Sequence, residues 1–152
     1  MIKKILTLAL VVKENEVLLG MKKRGFGMGW WNGFGGKVEP GESIVEAAKR
    51  EMREESNVEI VAMEEIGLID FYFVGNPIPW EVHLFKVSEY SGEPVESEEM
   101  LPKWFPLENP PFDKMWADDP VWYPYFLRGE RFNAEFWFDE NKKVEKFNIE
   151  KI

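Results

Sequence analysis

Hydrophobic residues near the start of the chain form two short β-rich runs. Ile5–Val12 and Val17–Met21 flank the polar segment Lys13–Glu16, a pattern that predicts two strands joined by a tight turn. Arg24–Gly36 follows as a predicted loop, because glycines alternate there with aromatic residues and neither a strand nor a helix period is present.

A helical pattern occupies the middle of the chain. Ile44, Ala48 and Met52 recur every four residues, which predicts an amphipathic helix over Ser43–Ser56. The helix is expected to begin at its first serine, because Glu46 follows three residues later and completes a capping-box pattern.

The second half of the chain returns to β-rich patterns with one further helix. The predicted strands are Ile66–Val74 and Trp80–Val87, joined through Gly75-Asn76-Pro77, then Trp104–Leu107, and finally Phe132–Phe138 and Val144–Ile149 as a hairpin around Asp139–Lys142; the predicted helix is Tyr123–Arg128. Because strands precede and follow a central helix, the order of elements predicts a mixed α+β sandwich.

Composition limits the classes of protein that remain. The chain has 152 residues and 17.9 kDa, the size of one domain, so residues 1–152 are expected to form a single domain. It contains no cysteine, which excludes a disulfide framework, thiolate zinc sites and a cysteine nucleophile.

The charge distribution is uneven. The net charge is −9, which argues against a protein that binds nucleic-acid polymers through their phosphates. Residues 1–37 nevertheless carry seven cations against two acids, which gives +5 and leaves −14 for the remainder. An acidic protein with a basic first quarter can bind a small polyanion, particularly if metal cations bridge the two.

The first residues resemble the start of a signal peptide, because two lysines precede the apolar run Ile5–Val12. Lys13–Glu16 then provides no small-residue cleavage site, and the run is far below the roughly 18–20 residues that span a bilayer. We therefore expect a cytoplasmic protein with no membrane segment. A monomer is the default expectation for its oligomeric state.

Three glutamates lie on one face of the predicted helix. Glu51, Glu54 and Glu55 are spaced i, i+3 and i+4, so their carboxylates are neighbours that repel one another. A hard divalent cation such as Mg²⁺, which prefers oxygen ligands, would reverse that repulsion. The same spacing fits a solvated face on which the glutamates pair with Arg50 and Arg53, and the helix alone leaves both interpretations open.

The residues before the helix favour the metal-binding interpretation. Gly36 is followed after five residues by Glu42 and, after seven more, by Arg50–Glu55, with Val58 closing the pattern. This spacing resembles the Nudix box, the loop–helix–loop signature of the Nudix hydrolases. Asn57 stands where that family usually has glycine, and asparagine is the next best residue for a left-handed helix C-cap.

The resemblance extends from Leu6 to about Phe126, and within the Nudix superfamily it is to the eukaryotic-type MutT homologues, which hydrolyse oxidised purine nucleoside triphosphates. The matching blocks are Gly20–Gly27, Trp31–Lys37, Phe71–Gly75, Val82–His83, Pro94–Met100 and Met115–Asp119. The resemblance implies the Nudix fold, an α/β/α sandwich with a mixed β-sheet and a central catalytic loop–helix–loop.

The resemblance also implies a metal site for Mg²⁺, with Mn²⁺ as an alternative. The implied ligands are the backbone carbonyl of Gly36 and the carboxylates of Glu51, Glu54, Glu55 and Glu99. One of these glutamates would act as the general base, and the sequence leaves open which one. Arg50 is expected to orient a glutamate through a bidentate ion pair.

A nucleotide pocket is implied as well. Trp116 offers a stacking plane beside Asp118 and Asp119, and two neighbouring carboxyls can share a proton, so that one donates and the other accepts at the purine edge. Taken alone, the Asp-Asp-Pro sequence is more typical of a helix N-cap. The other implied substrate contacts are Thr7, Lys22, Phe26, Asn32, Phe34, Gly35, Gly36, Lys37, Phe71 and Trp80, the last in place of a methionine that is common in the family; Phe73 also matches a pocket position but is expected to be ordinary core.

These expectations combine into a Mg²⁺-dependent hydrolase that converts 8-oxo-dGTP and 2-hydroxy-dATP to the monophosphate and pyrophosphate. A Nudix hydrolase of another nucleoside diphosphate derivative, such as ADP-ribose, is the alternative within the enzyme class. Outside that class the alternatives are a catalytically silent Nudix module that senses nucleotides and an acidic scaffold protein that binds through exposed aromatic residues.

Overall fold

A computed structural model describes residues 2–152, which form one eight-stranded mixed sheet with two α-helices. The strands are β1 (Lys4–Lys13), β2 (Glu16–Lys22), β3 (Trp31–Asn32), β4 (Glu59–Phe73), β5 (Asn76–Ser91), β6 (Met100–Pro106), β7 (Phe132–Phe138) and β8 (Val144–Lys151); the helices are α1 (Ile44–Ser56) and α2 (Asp119–Arg128), with a 3₁₀ turn at Phe112–Lys114.

The sheet runs in the order β3-β2-β1-β5-β4-β7-β8, and β6 pairs with β2. Two strand pairs are parallel, β1 with β5 and β4 with β7, and the others are antiparallel. Beyond its pairing with β2, β1 is bridged by the glycine-rich loop, where Leu6 pairs with Lys37 and Ala9 with Phe34. These bridges hold that loop beside the middle of the sheet.

Two hydrophobic cores lie around the sheet, which confirms the expected α+β sandwich. One contains Ala48 and Met52 of α1 packed with Ala9, Val11 and other strand residues. The other contains Trp122, Tyr123 and Phe126 of α2, together with the alternate residues Phe132, Ala134, Phe136 and Phe138 of β7. The period-2 pattern of β7 therefore points one face at the α2 core.

The central helix has both predicted ends. The Ser43 hydroxyl accepts a hydrogen bond from the Glu46 amide at 3.0 Å, and the Glu46 carboxylate accepts one from the Ser43 amide at 3.0 Å, which confirms the capping box. Asn57 takes the left-handed C-cap conformation with φ of 67°, as its place in the motif predicts. The two caps set where the helix begins and ends, and hence the face on which each of its glutamates lies.

Several elements are longer than their sequence patterns predict. The β4–β5 hairpin begins at Glu59 and ends at Ser91, well beyond the apolar runs, because its outer pairs are held by backbone hydrogen bonds and broken only by bulges. Helix α2 begins at Asp119 instead of Tyr123, since Pro120 occupies its first turn, where a missing amide is tolerated. No helix of the described residues is long and apolar enough to cross a membrane.

Candidate active site

A cleft of about 250 Å³ opens beside β1, where the glycine-rich loop, the β4–β5 hairpin and the segment before α2 come together. Its lining combines aromatic rings with a few polar groups, a composition typical of ligand sites. The lining residues are Leu6, Thr7, Leu8, Lys22, Phe26, Gly27, Trp30, Asn32, Gly33, Gly35, Gly36, Glu55, Phe71, Phe73, Trp80, Val82, Met100, Trp116, Asp118, Asp119 and Phe138.

Two glutamates of α1 face the glycine-rich loop, and one of them, Glu55, lines this cleft. The buried Glu55 carboxylate accepts a hydrogen bond from the Gly35 amide at 2.9 Å. Glu51 lies against Gly36, where an added Cβ would come within 2.8 Å of its carboxylate. A Cβ on Gly35 would stand 1.8 Å from the Thr7 carbonyl oxygen. Glycine is therefore required at position 35, where the neighbour is backbone, whereas at position 36 the end of the Glu51 side chain would have to shift.

Burial shifts the acidity of these carboxyls. Burial, and then the charge of Glu51, raises the pKa of Glu55 to about 8, although the Gly35 hydrogen bond opposes the shift. Burial also raises the pKa of Glu51, against the opposing effect of Arg50. Partly buried like charges of this kind are destabilising until a cation neutralises them.

Arg50 ties the loop to the helix. Its guanidinium donates to both carboxylate oxygens of Glu42, at 2.6 and 3.1 Å, and to Glu51 at 2.9 Å. It also donates to the Lys37 carbonyl at 3.1 Å and reaches Glu54 at 3.3 Å. Arg50 thus forms a bidentate ion pair with Glu42 and a further ion pair with Glu51.

The remaining two predicted acids are more exposed. Glu54 lies on the outer side of α1 with 59% of its side chain exposed. Glu99 has 48% exposed and lies 3.5 Å from the Arg24 guanidinium. The backbone ties the Glu99 loop to the end of β2, because the Lys23 amide donates to the Glu99 carbonyl at 2.8 Å. The negative charge of Glu99 contributes to the raised pKa values of Glu51 and Glu55, so the three carboxylates interact electrostatically.

The donor chemistry fits a hard divalent cation. It consists of carboxylates and the Gly36 carbonyl, which accepts one hydrogen bond from the Thr7 amide at 2.9 Å and keeps a second lone pair. Within residues 2–152 the side chains do not form a ready cluster of three metal-ligating groups. Glu51 is paired with Arg50, and Glu55 with the Gly35 amide, so these contacts would have to give way to a metal.

Two buried acids lie in another part of the same cleft. Asp118 and Asp119 are 3% and 2% exposed, and the Asp118 carboxylate accepts a hydrogen bond from the Trp122 indole at 2.8 Å. Asp118 occupies the N-cap position of α2 but makes no capping hydrogen bond with its side chain. Its carboxylate is therefore held by α2 without serving as a helix cap.

The two acids titrate as a pair. Burial raises the pKa of Asp118 to about 6, and burial together with the charge of Asp118 raises the pKa of Asp119 well above its ordinary value. Within the described residues, the buried Asp119 Oδ2 and the Thr7 Oγ1 have no hydrogen-bond partner, and both residues line the cleft. Polar atoms buried in this way are available to a ligand.

Aromatic rings form one wall of the cleft, which we call the aromatic wall: Phe26, Trp30, Trp80 and Trp116. Phe26 stacks on Trp116 with centroids 5.1 Å apart and meets Trp80 edge-on at 5.7 Å. Trp30 lies tilted beside Trp116 at 6.4 Å. Asn32 has its carbonyl engaged by the Gly33 amide at 2.8 Å, which leaves its amide protons for other partners.

Most of the predicted substrate contacts line this cleft, and two do not. Phe34 is fully buried in the α1 core, because its backbone bridge to Ala9 turns the ring inward. Lys37 has an exposed side chain and does not line the cleft. The predicted contacts that line it are Thr7, Lys22, Phe26, Asn32, Gly35, Gly36, Phe71, Trp80, Trp116, Asp118 and Asp119.

Sequence reasoning missed several lining residues. Trp30, Val82, Met100 and Phe138 come from four different segments, and Phe73, expected in the core, lines the cleft while packing on that core. The period-2 pattern of β7 marks Phe138 as inward-facing, but it does not distinguish a pocket wall from a core position. The sequence feature that could have indicated Trp30 as a lining residue is its place in the glycine-rich loop.

The raised carboxyl pKa values predict an unusual dependence of stability on pH. A carboxyl with a raised folded-state pKa binds more protons in the folded than in the unfolded chain, so its contribution is lost as pH rises. For Glu55 this window runs from about pH 4.5 to 8. Without divalent metal, we expect the free energy of unfolding to fall by roughly 2 kcal/mol between pH 5 and 8, or about 4–8 °C in Tm. Calorimetry in EDTA would measure this, and a rising Tm across the window would contradict it.

Comparisons with known proteins identify the family and the fold of the chain. The NUDIX domain profile matches residues 3–126, and the chain belongs to the Nudix family. The fold is also that of a known structure, the MutT protein of Bacillus halodurans, with a TM-score of 0.85, 28% identity and 97% of each chain covered.

Two relatives match over nearly the whole chain. The oxidized purine nucleoside triphosphate hydrolase of Danio rerio is 48% identical over 149 residues, covering 98% of this chain and 96% of the relative. The protein of the same name from Mus musculus is 45% identical over 146 residues, covering 96% and 94%.

Proposed function

We propose that this protein hydrolyses oxidised purine nucleoside triphosphates to the nucleoside monophosphate and pyrophosphate, and so removes damaged nucleotides from the pool. The observation that carries the proposal is that one cleft is lined both by Glu55 of α1 and by the buried pair Asp118 and Asp119. The names of the two full-length relatives support the same substrate class.

The glutamates and Lys22 suit the phosphate end of such a substrate. In the proposed reaction a water oxygen bonds to phosphorus, an anhydride P–O bond breaks, and the water proton passes to a carboxylate of the α1 face. Glu51 and Glu55 are the best placed of these, because both face the loop at Gly35 and Gly36. In this proposal Arg50 positions Glu51, to which it donates a hydrogen bond at 2.9 Å.

Mg²⁺ is the proposed cofactor, because Nudix hydrolases generally use divalent metal ions and the donors here are all oxygen. Glu51, Glu55, Glu99 and the Gly36 carbonyl would hold it, with Glu54 nearby. When bound, the ion supplies neutralisation of phosphate charge and polarisation of the phosphorus. We further propose that the protein is cytoplasmic, which is in keeping with the absence of cysteine. We also propose that it is a monomer.

The paired acids suit the oxidised base. Oxidation at C8 of guanine or C2 of adenine changes which ring atoms donate and which accept hydrogen bonds. A carboxyl pair that shares one proton offers both a donor and an acceptor, and burial favours that half-protonated state. Trp116 supplies the stacking surface beside them, and the Asn32 amide can donate to the base.

The test is Mg²⁺-dependent turnover of 8-oxo-dGTP, 2-hydroxy-dATP, dGTP, dATP and ADP-ribose, with products separated by chromatography. We expect pyrophosphate release and a higher kcat/KM for the two oxidised nucleotides. Equal turnover of all purine triphosphates would remove the proposed specificity, and preference for ADP-ribose would assign another Nudix reaction. Nucleotide binding without any turnover would make the protein a sensing module.

A further inference from the structure

An exposed lysine of the C-terminal hairpin lies against the aromatic wall. The Lys142 ammonium is 5.1 Å from the centroid of Phe26 and 5.9 Å from that of Trp116. Its backbone amide donates to the Asp139 carbonyl at 3.1 Å, but within the described residues the ammonium has no ion pair or hydrogen bond, so the two rings are the principal partners of the side chain. Lys142 does not itself line the cleft, which means that it contacts these rings from outside the cavity.

The hairpin turn holds this lysine in an unfavourable backbone conformation. Lys142 has φ of +61°, a region that favours glycine or asparagine over residues with long side chains. The turn itself is fixed by Asp139, whose carboxylate accepts hydrogen bonds from the amides of Asn141 at 2.8 Å and Lys143 at 3.0 Å. The turn would thus form more readily with glycine at position 142, so the lysine side chain is not explained by the turn.

Phe26, in contrast, is held by ring contacts with Trp80 and Trp116 on a flexible stretch of backbone. Half of its side chain is exposed, and it lies between Gly25 and Gly27, whose φ values are +78° and +86°. Its neighbours Trp80 and Trp116 leave an outer side open to solvent, and Lys142 lies there. A cation over the face of an aromatic ring is attracted by the ring quadrupole.

We propose that Lys142 is a positioning residue for base recognition: it holds the Phe26–Trp116 pair in the arrangement that packs against the purine. The inference rests on the proposed function, because it assigns this part of the cleft to the base. It adds the turn of the C-terminal hairpin to the specificity elements, beside Phe138 of the same hairpin, which lines the cleft. The hairpin lies outside the matched NUDIX segment of residues 3–126.

The experiment measures binding of an uncharged ligand, so that phosphate attraction plays no part. Inhibition by the 8-oxo-2′-deoxyguanosine nucleoside is compared among wild type, Lys142→Met, Lys142→Arg and Lys142→Gly, with Lys143→Met as the matched control for net charge. Lys143 is an exposed neighbour in the same turn. We expect the inhibition constant to rise about two- to five-fold in Lys142→Met and Lys142→Gly, the range for an exposed cation–π contact. Lys142→Arg should restore the wild-type value, and Lys143→Met should leave it unchanged.

Two further measurements, kcat and Tm, distinguish this role from others. We expect kcat to stay within about two-fold in all four variants, and Lys142→Gly to keep or raise Tm because its turn strain is relieved. Unchanged nucleoside inhibition with a raised KM for the triphosphate would overturn the proposal and make Lys142 a phosphate-attracting charge. An equal effect of Lys143→Met would also overturn it. Failure of the proposed function itself is recognised separately, by absent turnover in the wild type.

Discussion

Replacing Glu55 with glutamine is expected to reduce kcat/KM for oxidised purine triphosphates by about 10³-fold while making the metal-free protein more stable. The activity falls because the amide can neither take a proton nor bind a divalent cation as a carboxylate does. The stability rises because the buried charge and its repulsion by Glu51 are removed, while the amide oxygen still accepts the hydrogen bond from Gly35. Opposite changes in activity and stability are typical of residues placed for function.

The measurement combines steady-state kinetics with thermal unfolding in EDTA at pH 8. We expect Tm to rise by about 4–8 °C in Glu55→Gln. The fall in Tm between pH 5 and 8 should also be smaller in this variant than in the wild type. Stabilisation of the wild type by added Mg²⁺ should largely disappear in the variant. Glu64→Gln is the matched control, since Glu64 is an exposed acid on β4 and the charge change is the same. A less stable Glu55→Gln protein would show that this carboxyl is a structural group.

Replacing Asp119 with asparagine is expected to alter base preference far more than phosphate chemistry. Asparagine keeps the shape of the side chain but cannot share a proton with Asp118, so the pair no longer presents its donor and acceptor in the same arrangement. The advantage in kcat/KM of oxidised over normal purine triphosphates should fall about 30-fold, equivalent to roughly 2 kcal/mol for one mispaired buried polar group.

The quantity that tests this prediction is the ratio of kcat/KM for oxidised nucleotides to kcat/KM for normal nucleotides. Turnover of 8-oxo-dGTP, 2-hydroxy-dATP, dGTP and dATP is measured for Asp119→Asn and for Asp113→Asn, an exposed aspartate in the 3₁₀ turn of the preceding segment. The control should behave as wild type. A uniform loss over all four nucleotides would mean that Asp119 supports the fold of the cleft and does not read the base.

The predictions that succeeded from sequence depended on local rules. The capping box and the left-handed Asn57 each follow from a few neighbouring residues. Where the structure departs from the sequence pattern, distant partners are responsible. Phe34 belongs to the same glycine-rich loop as Gly35, yet its bridge to Ala9 sends its ring into the α1 core instead of the cleft.

The sequence alone determined the helix that carries the glutamates, its two ends and, through its resemblance to the Nudix box, the class of chemistry. Those features are encoded in periodicity and spacing along one stretch of chain. Tertiary structure decided the rest. The burial that raises the pKa values of Glu55 and Asp119, and the packing of Lys142 on Phe26, bring together segments far apart in sequence. Desolvation and ring contacts depend on which surfaces meet in space, and no local pattern records that.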